Sequence, residues 1–424
     1  MFKLNKKIYK RTIIALASVI TSVTFISYKS VLYDLDDDQN YLNNEALIGQ
    51  NKNNARNFIF SPRINEYITL HSSIIAKART RGNVFFCQTI KSGYGNRLYT
   101  FISSMLVSLL SNSALIIQNW DEAKAYVNLP FNPFFKTNES NDLNDEFEPE
   151  KIYQFHSRNM WRCEKDLDEK VYIPNEYTRF RFQTYSALFM ELSANDLFYD
   201  RILEFNLAST ETIARARSVL KKTNSNKSQR LDYLLQVGFE VGGNILNQLW
   251  IPNSSILDYV DYFYNKEFKG YYVIGFQLRF EYLENEAKKD INKFLKCAMK
   301  IEKDYIRSNA LNTKQLKQIK WFITSDSEEY VNKILKSFPT KAMASNGTIK
   351  HIKFSTKGYR RTIVDVELLS RSDEIIITGG STYGFVASMK SLKLSYYVNG
   401  KSSSDCSRIS LSSPPRTPKN TCIF

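Results

Sequence analysis

Apolar and polar positions along this chain follow two periods, and the change between them marks out its elements. TIIALASVITSVTFISY (Thr12–Tyr28) carries no charge. As a helix rising 1.5 Å per residue it spans about 26 Å, short but sufficient for a thin endomembrane bilayer. Residues 30 to about 80 are polar and Asn-rich with little periodicity, and read as a stem. NVFFCQTI (residues 83–90) is a run of buried-strand type, and KSGYGN is a turn whose Gly93 and Gly95 are free to take positive φ. Leu98, Phe101, Ile102, Met105, Leu106 and Leu109 then fall on one helical face. ALIIQ (Ala114–Gln118) is the next strand, which completes a βαβ unit and so a parallel sheet. The Pro-, Asn- and acid-rich stretch from Asn128 to Ile173 reads as a functional loop or an insertion. Residues 192–264 are mostly of helical period, and a linker is expected near Asn265–Gly270.

The second half repeats a strand–helix rhythm. Strands are expected over 271–280, 318–326, 348–355, 373–380 and 393–400, with helices over 291–308, 327–338, 361–372 and 381–391 between them. The fold class is therefore α/β. Two such halves facing across a cleft make two Rossmann-like domains, the arrangement called GT-B among glycosyltransferases. The expected boundaries are a tail at 1–11, an anchor at 12–28, a stem at 29–80, and domains at 81–265 and 266–424.

Charge sharpens this picture. Lys+Arg number 58 against 43 Asp+Glu, a formal charge of +15 that suits anionic partners. No basic helix interleaved with stacking aromatics and no zinc-finger spacing occurs, which argues against nucleic acid. Lys3, Lys6, Lys7, Lys10 and Arg11 precede the apolar stretch, and acids follow it from Asp34 to Asp38. With no A-x-A-like cleavage site, the stretch reads as an uncleaved signal anchor with the body in the lumen. Asp36/Asp38 and Asp166/Asp168 have D-x-D spacing but follow no apolar strand, so they read as solvated acids and no metal is expected. Four N-x-[ST] sequons, at Asn138, Asn226, Asn253 and Asn346, are compatible with N-glycosylation of a lumenal body. His71 and His156 are isolated and read as satisfied or exposed residues. The five cysteines lack CxxC spacing.

Three strand ends in the second half carry the candidate chemistry. The first, after Val273, Ile274, Phe276, Gln277 and Leu278, delivers Arg279, whose forked guanidinium suits a phosphate; a salt bridge at the sheet rim is the other reading. The second delivers Thr324, Ser325 and Asp326. The third delivers Gly379, Gly380, Ser381 and Thr382 at a helix start, which carries roughly half a positive charge and free N–H donors. Ligands of open α/β sheets sit at such carboxyl ends. Arg279 and this helix start together make a candidate metal-free diphosphate site. Asp326 is an acceptor of the type that meets paired donors, and equally a helix cap.

The pieces SGYGNRLYTFISSMLVSLLSNSALII, IGFQLRF, WFITSDSEEYVNKI and VELLSRSDEIIITGGSTYGFVASMKS, spread over roughly residues 83–400, resemble the plant-type xyloglucan α-1,2-fucosyltransferases of the GDP-fucose-dependent superfamily. The resemblance implies a Golgi type II membrane enzyme with a GT-B fold, which moves fucose from GDP-fucose to a glycan acceptor with inversion and without metal. It implies that 81–265 is the acceptor side and that 266–424 binds GDP-fucose. It places Arg279 at the phosphate-binding arginine. Ser381, Thr382, Tyr383 and Gly384 fall at the S-T-F-G turn, and Asn96 and Arg97 at the G-x-G-N-R turn. Asp326 lies near a guanine-reading acid, and Gln277 beside Arg279 joins the donor site. Gly380 stands where the family has Trp, and Tyr383 where it has Phe. Cys406 and Cys422 resemble a cysteine-bearing tail in which they could pair. Glu281 and Glu284 are the candidates for a general base. A membrane-anchored nucleotide-sugar binder without catalysis and a transferase using another nucleotide sugar stay open, as does a homodimer.

Overall fold

The computed structural model describes residues 61–77, 84–88, 92–118, 120–131, 151–154, 179–183, 187–221, 227–280, 291–310, 316–347, 349, 358–398, 406–409 and 411. The anchor at 12–28, the sequons at Asn138 and Asn226, Glu281, Glu284 and most of the strand expected over 348–355 lie outside them. Among the described residues no helix is long and apolar enough to cross a membrane.

A helix lies inside the stretch expected as stem. Helix α1 (Pro62–Lys77) buries Ile64, Tyr67 and His71 at i, i+3 and i+7, and so belongs to the body. Tyr67 donates to Ser113 O at 2.9 Å, and His71 Nε2 lies 2.8 Å from Leu115 O. The expected stem boundary at residue 80 is thus corrected, since 62–77 pack on the body: Ile64, Tyr67 and the buried His71 dock this helix.

Strand β1 (Val84–Gln88), helix α2 (Tyr94–Ser111) and strand β2 (Ala114–Gln118) form the expected βαβ unit, with β1 and β2 parallel. Helix α3 (Asp121–Tyr126) follows, then β3 (Val127–Asn128), β4 (Lys151–Gln154) and β5 (Arg179–Gln183). β5 and β4 extend the first sheet to the order β2–β1–β5–β4, all parallel. Helices α4 (Leu188–Ala194), α5 (Tyr199–Glu204), α6 (Thr210–Lys221) and α7 (Lys227–Leu249) fill the stretch read as helical. After β6 (Ile251–Pro252), α8 (Ser254–Phe263) runs on into a π-helical turn at Tyr264–Phe268. The expected linker is therefore packed structure. Phe268 is buried against Phe263 and Phe322, and Gly270, at φ 88°, turns the chain into the next strand.

The second sheet holds β7 (Tyr272–Leu278), β8 (Ile319–Ser325), β9 (Ala342–Met343), β10 (Glu374–Thr378), β11 (Tyr396–Val398) and β12 (Ser407–Arg408). Their order is β12–β11–β10–β7–β8–β9, parallel except for β11 with β12. Helices α9 (Ile291–Ser308), α10 (Glu328–Ser337), α11 (Tyr359–Ser370) and α12 (Thr382–Ser391) connect the strands. From β7 the chain proceeds outward through β8 to β9, and from β10 outward the other way to β11. The order therefore reverses between β7 and β10, and the gap at their carboxyl ends is the switch point where such sheets bind ligands.

Cys297 of α9 is disulfide-bonded to Cys406, just before β12. The Cys406–Cys422 pairing is thereby corrected, because the antiparallel return of β12 beside β11 brings Cys406 over α9. Cys87 is buried and free.

Candidate active site

Hydrogen bonds between strand ends stitch the switch point. Thr378, the last residue of β10, donates through Oγ1 to Gln277 O at 3.0 Å and accepts from Arg279 N at 2.9 Å. Its own N–H donates to Gln277 Oε1 at 3.3 Å. Asp326 Oδ1 accepts from Phe280 N at 2.8 Å. The strand end that carries Arg279 is thus clamped from both neighbours. The helix-cap role weighed for Asp326 is not what the structure shows: Ser327 holds the cap position of α10, and Asp326 secures the backbone beside Arg279.

Three helix starts surround this point. α12 begins at Ser381, whose hydroxyl accepts from Gly384 N at 3.2 Å, after Gly380 at φ 77° has turned the chain out of β10. α2 begins at Gly93–Tyr94 and α11 at Gly358, φ 87°. Gly95 serves close approach rather than positive φ: it lies inside α2, and a Cβ there would sit 2.5 Å from Tyr383 N. Aromatic rings bolt the three starts together. Tyr94 packs edge-on to Tyr359 of α11 at 5.7 Å and lies 6.5 Å from the Tyr383 ring of α12. Trp250 donates to Tyr94 Oη at 2.9 Å, Trp120 donates to Tyr359 Oη at 2.5 Å, and the two indoles stack at 4.6 Å. Tyr383 donates to Thr362 O at 2.9 Å, so the hydroxyl that distinguishes it from phenylalanine ties α12 to α11. Burial raises the phenols of Tyr94, Tyr359 and Tyr383 far above their ordinary range, and they stay neutral.

Between these elements lies a cleft of about 680 Å³, open solvent included. Of the residues expected at the donor site, Asn96, Gln277, Arg279, Thr324, Ser325, Asp326, Thr382 and Tyr383 line it. Ser381 and Gly384 stand directly behind the lining, Ser381 as the cap. Gly384 lets α12 sit close, since a Cβ there would meet Ile377 at 2.7 Å and Gln277 Oε1 at 2.8 Å. Arg97 is the exception. Its side chain is 5% exposed and turned to Glu122 Oε2 at 3.1 Å and Ser92 O at 3.2 Å, where it braces the turn before α2 instead of lining the cleft. Of the sequons, Asn253 caps α8, accepting from Ile256 N at 3.1 Å and donating to Ala125 O at 2.8 Å. Asn346 is exposed, and its backbone N–H donates to Tyr259 Oη at 3.0 Å.

The cleft also holds residues that the strand-end reasoning missed: Tyr94, Ile349, Gly358, Arg361, Thr362 and Asp365. Asp365 accepts a short hydrogen bond from Ser345 and faces Arg361, with Nε 3.5 Å from Oδ2. Burial raises its carboxyl above the usual range, against the opposing pull of Arg361 and of hydrogen bonds from Ser345 and Thr324. A sequence signal existed: two arginines opening a helix run against its dipole. Among the described residues no group of three or more His, Cys, Asp or Glu side chains is placed to hold a metal ion.

No protein-family profile matches the chain, and no curated protein sequence matches it. Solved structures do. A GDP complex of an arginine-to-lysine mutant of Arabidopsis thaliana FUT1 matches with a TM-score of 0.53 at 15% identity, over 85% of this chain and 86% of that one. The fucosyltransferase NodZ from Bradyrhizobium matches at 0.42 and 13%, over 78% and 99% of the two chains. The apo form of POFUT1 matches at 0.36 and 11%, over 74% and 97%. The mixed α/β architecture with its six-stranded, mainly parallel sheet is therefore the fold that FUT1 adopts around GDP.

Proposed function

We propose that this protein is a fucosyltransferase that moves fucose from GDP-fucose to a glycan hydroxyl, an α-1,2 linkage on galactose being the reading its motifs favour. The observation that carries the proposal is the meeting of Arg279 and the start of α12 in one cleft at the switch point of the second sheet. An acceptor hydroxyl attacks C1 of fucose with inversion while GDP leaves, and negative charge grows on the β-phosphate. A guanidinium in the cleft wall and a helix's positive end beside it would act as electrostatic stabilisers of that charge. They supply the positive charge that a divalent cation supplies in other transferases. The fold shared with GDP-bound FUT1 supports the choice of nucleotide.

The arrangement proposed is GT-B, with the half built on the first sheet (81–265) receiving the acceptor and the half built on the second (266–424) holding the donor. Residues 12–28 are proposed as a type II anchor that places the body in the Golgi lumen.

Full-length protein in detergent, incubated with labelled GDP-fucose and a panel of galactose-terminated glycans, tests the reading. Transfer to a subset of the panel is expected, competed by GDP and not by UDP. It should persist at the same rate after treatment with EDTA. GDP binding without release of fucose would leave a binding protein in place of an enzyme, and competition by UDP would reassign the donor.

A further inference from the structure

The first turn of α11 holds charges in an order that the helix itself disfavours. It has no acid and no side-chain cap. Arg360 and Arg361 occupy it instead, only 6% and 8% exposed. A helix start is already positive, and a buried guanidinium is costly unless its donors are met. Arg361 is met in part. Its Nη1 donates to Gly347 O at 2.6 Å. Its Nε lies 3.5 Å from Asp365 Oδ2 without a hydrogen bond, and Nη2 has no hydrogen-bond partner although it is enclosed. Arg360 lies over the Tyr259 ring at 5.2 Å and is not part of the cleft wall. Arg361 is part of it, beside Thr362 and Asp365. The Nε–Nη2 edge, whose two donors can grip two oxygens at once, is thus left without hydrogen bonds. Asp365 faces the Arg361 guanidinium at the positive end of a helix, so this wall carries a guanidinium and a helix start against that carboxylate.

We propose that Arg361 is a second phosphate-binding cation of the site: it grips the donor's diphosphate from the α11 wall, while Arg279 and the start of α12 hold it from the sheet edge. Gly347 O anchors one end of the guanidinium, and Asp365 is a positioning residue that keeps the other end directed at the cleft. The inference rests on the reading of the donor as a nucleoside diphosphate sugar. It predicts that the arginine senses phosphate and not the base.

The test compares GDP, guanosine and inorganic pyrophosphate as ligands of the full-length protein by calorimetry. Arg361→Gln should weaken GDP and pyrophosphate roughly 30-fold, the loss expected for one charge-assisted pair. Guanosine should stay within about 3-fold of wild type, an ordinary tolerance for a lost neighbour. Arg361→Lys, which keeps the charge beside Asp365 but loses the fork, should fall between. Equal losses for GDP and guanosine would mark a purely structural role and overturn the proposal, as would GDP binding by Arg361→Gln that matches wild type. If Arg361→Gln lacks a cooperative melt, Arg361→Lys decides: GDP binding equal to wild type overturns the proposal, and a loss confined to GDP and pyrophosphate supports it. Wild-type protein that binds neither GDP nor pyrophosphate would instead overturn the donor reading itself.

Discussion

Arg279 and His71 show two ways in which one side chain can matter. Arg279 is only partly buried, and its backbone is held by Thr378 and Asp326 through neighbouring strands, so its side chain can be removed without loss of the fold. Arg279→Ala is expected to lower turnover about 100-fold, matching the ~3 kcal/mol lost with one preorganised donor. Arg279→Lys should not restore it, because a point charge lacks the two-pronged fit. Steady-state kinetics with an unchanged melting curve would establish this; near-normal turnover of the lysine variant would refute it.

His71 acts on stability instead. It is fully buried between Tyr67 and Phe131, and burial lowers its imidazole below the ordinary range against one bond to Leu115 O. The unfolded chain therefore takes up this proton first. Above the ordinary value of about 6.5 the group is neutral in both states and exacts no penalty. As pH falls below that value, stability drops by up to about 1.4 kcal/mol per unit until the folded-state value is reached. Denaturant melts of wild type and His71→Phe between pH 7 and 5 should show a shallower slope in the variant. Parallel slopes would show that other groups govern the acid limb.

Helix contacts place the cleft at the next scale. α2 and α12 meet where Gly95 leaves no room for a side chain, and α12 lies on α7 in the same way, since a Cβ on Gly243 would sit 2.2 Å from Met389 O. Gly95→Ala adds one carbon against backbone atoms of Thr382 and Tyr383 that cannot rotate aside. Overpacking of this kind costs about 1–3 kcal/mol. Because it displaces the helix start proposed to hold the diphosphate, GDP affinity should fall together with stability. Urea denaturation and GDP titration of Gly95→Ala check both; a variant with wild-type values in each would mean that the two helices can slide apart freely.

Taken whole, the body is held by a shared core rather than by a flexible hinge. Apolar residues of both halves, from Ile64 and Phe101 to Leu369 and Val386, form one continuous buried cluster, and the Tyr94–Trp120–Trp250–Tyr359 group links the two halves. Trp321 and Phe276 belong to a second cluster on the far face of the six-stranded sheet. The Cys297–Cys406 bond closes that face over a separation of 109 residues. Cys406→Ser should cost about 2–4 kcal/mol, the usual worth of such a link. Thermal melting with and without reductant tests it: wild type should fall to the level of the variant when reduced, and a variant that melts with wild type would show the bond to be dispensable.

Periodicity alone carried much of this protein. Runs such as Val273–Leu278 and Glu374–Thr378, bounded by polar turns, can only be buried strands, and the residues that end them must then lie at one edge of a parallel sheet. That logic reached Arg279, Thr324 and Thr382 because a strand's exit point follows from local pattern. It did not reach Arg361 and Asp365, which come to the cleft from a helix whose start and rotation depend on packing against α8 and α12. Nor did it separate Arg97 from Asn96, since neighbours on a helix point about 100° apart and only Glu122, 25 residues on, settles which one turns inward. The partner of Cys406 was hidden for the same reason: Cys297 lies on α9, 109 residues away in the chain, and only packing brings the two together. Local sequence sets the elements and their ends; long-range packing chooses which side chains those ends present to one another.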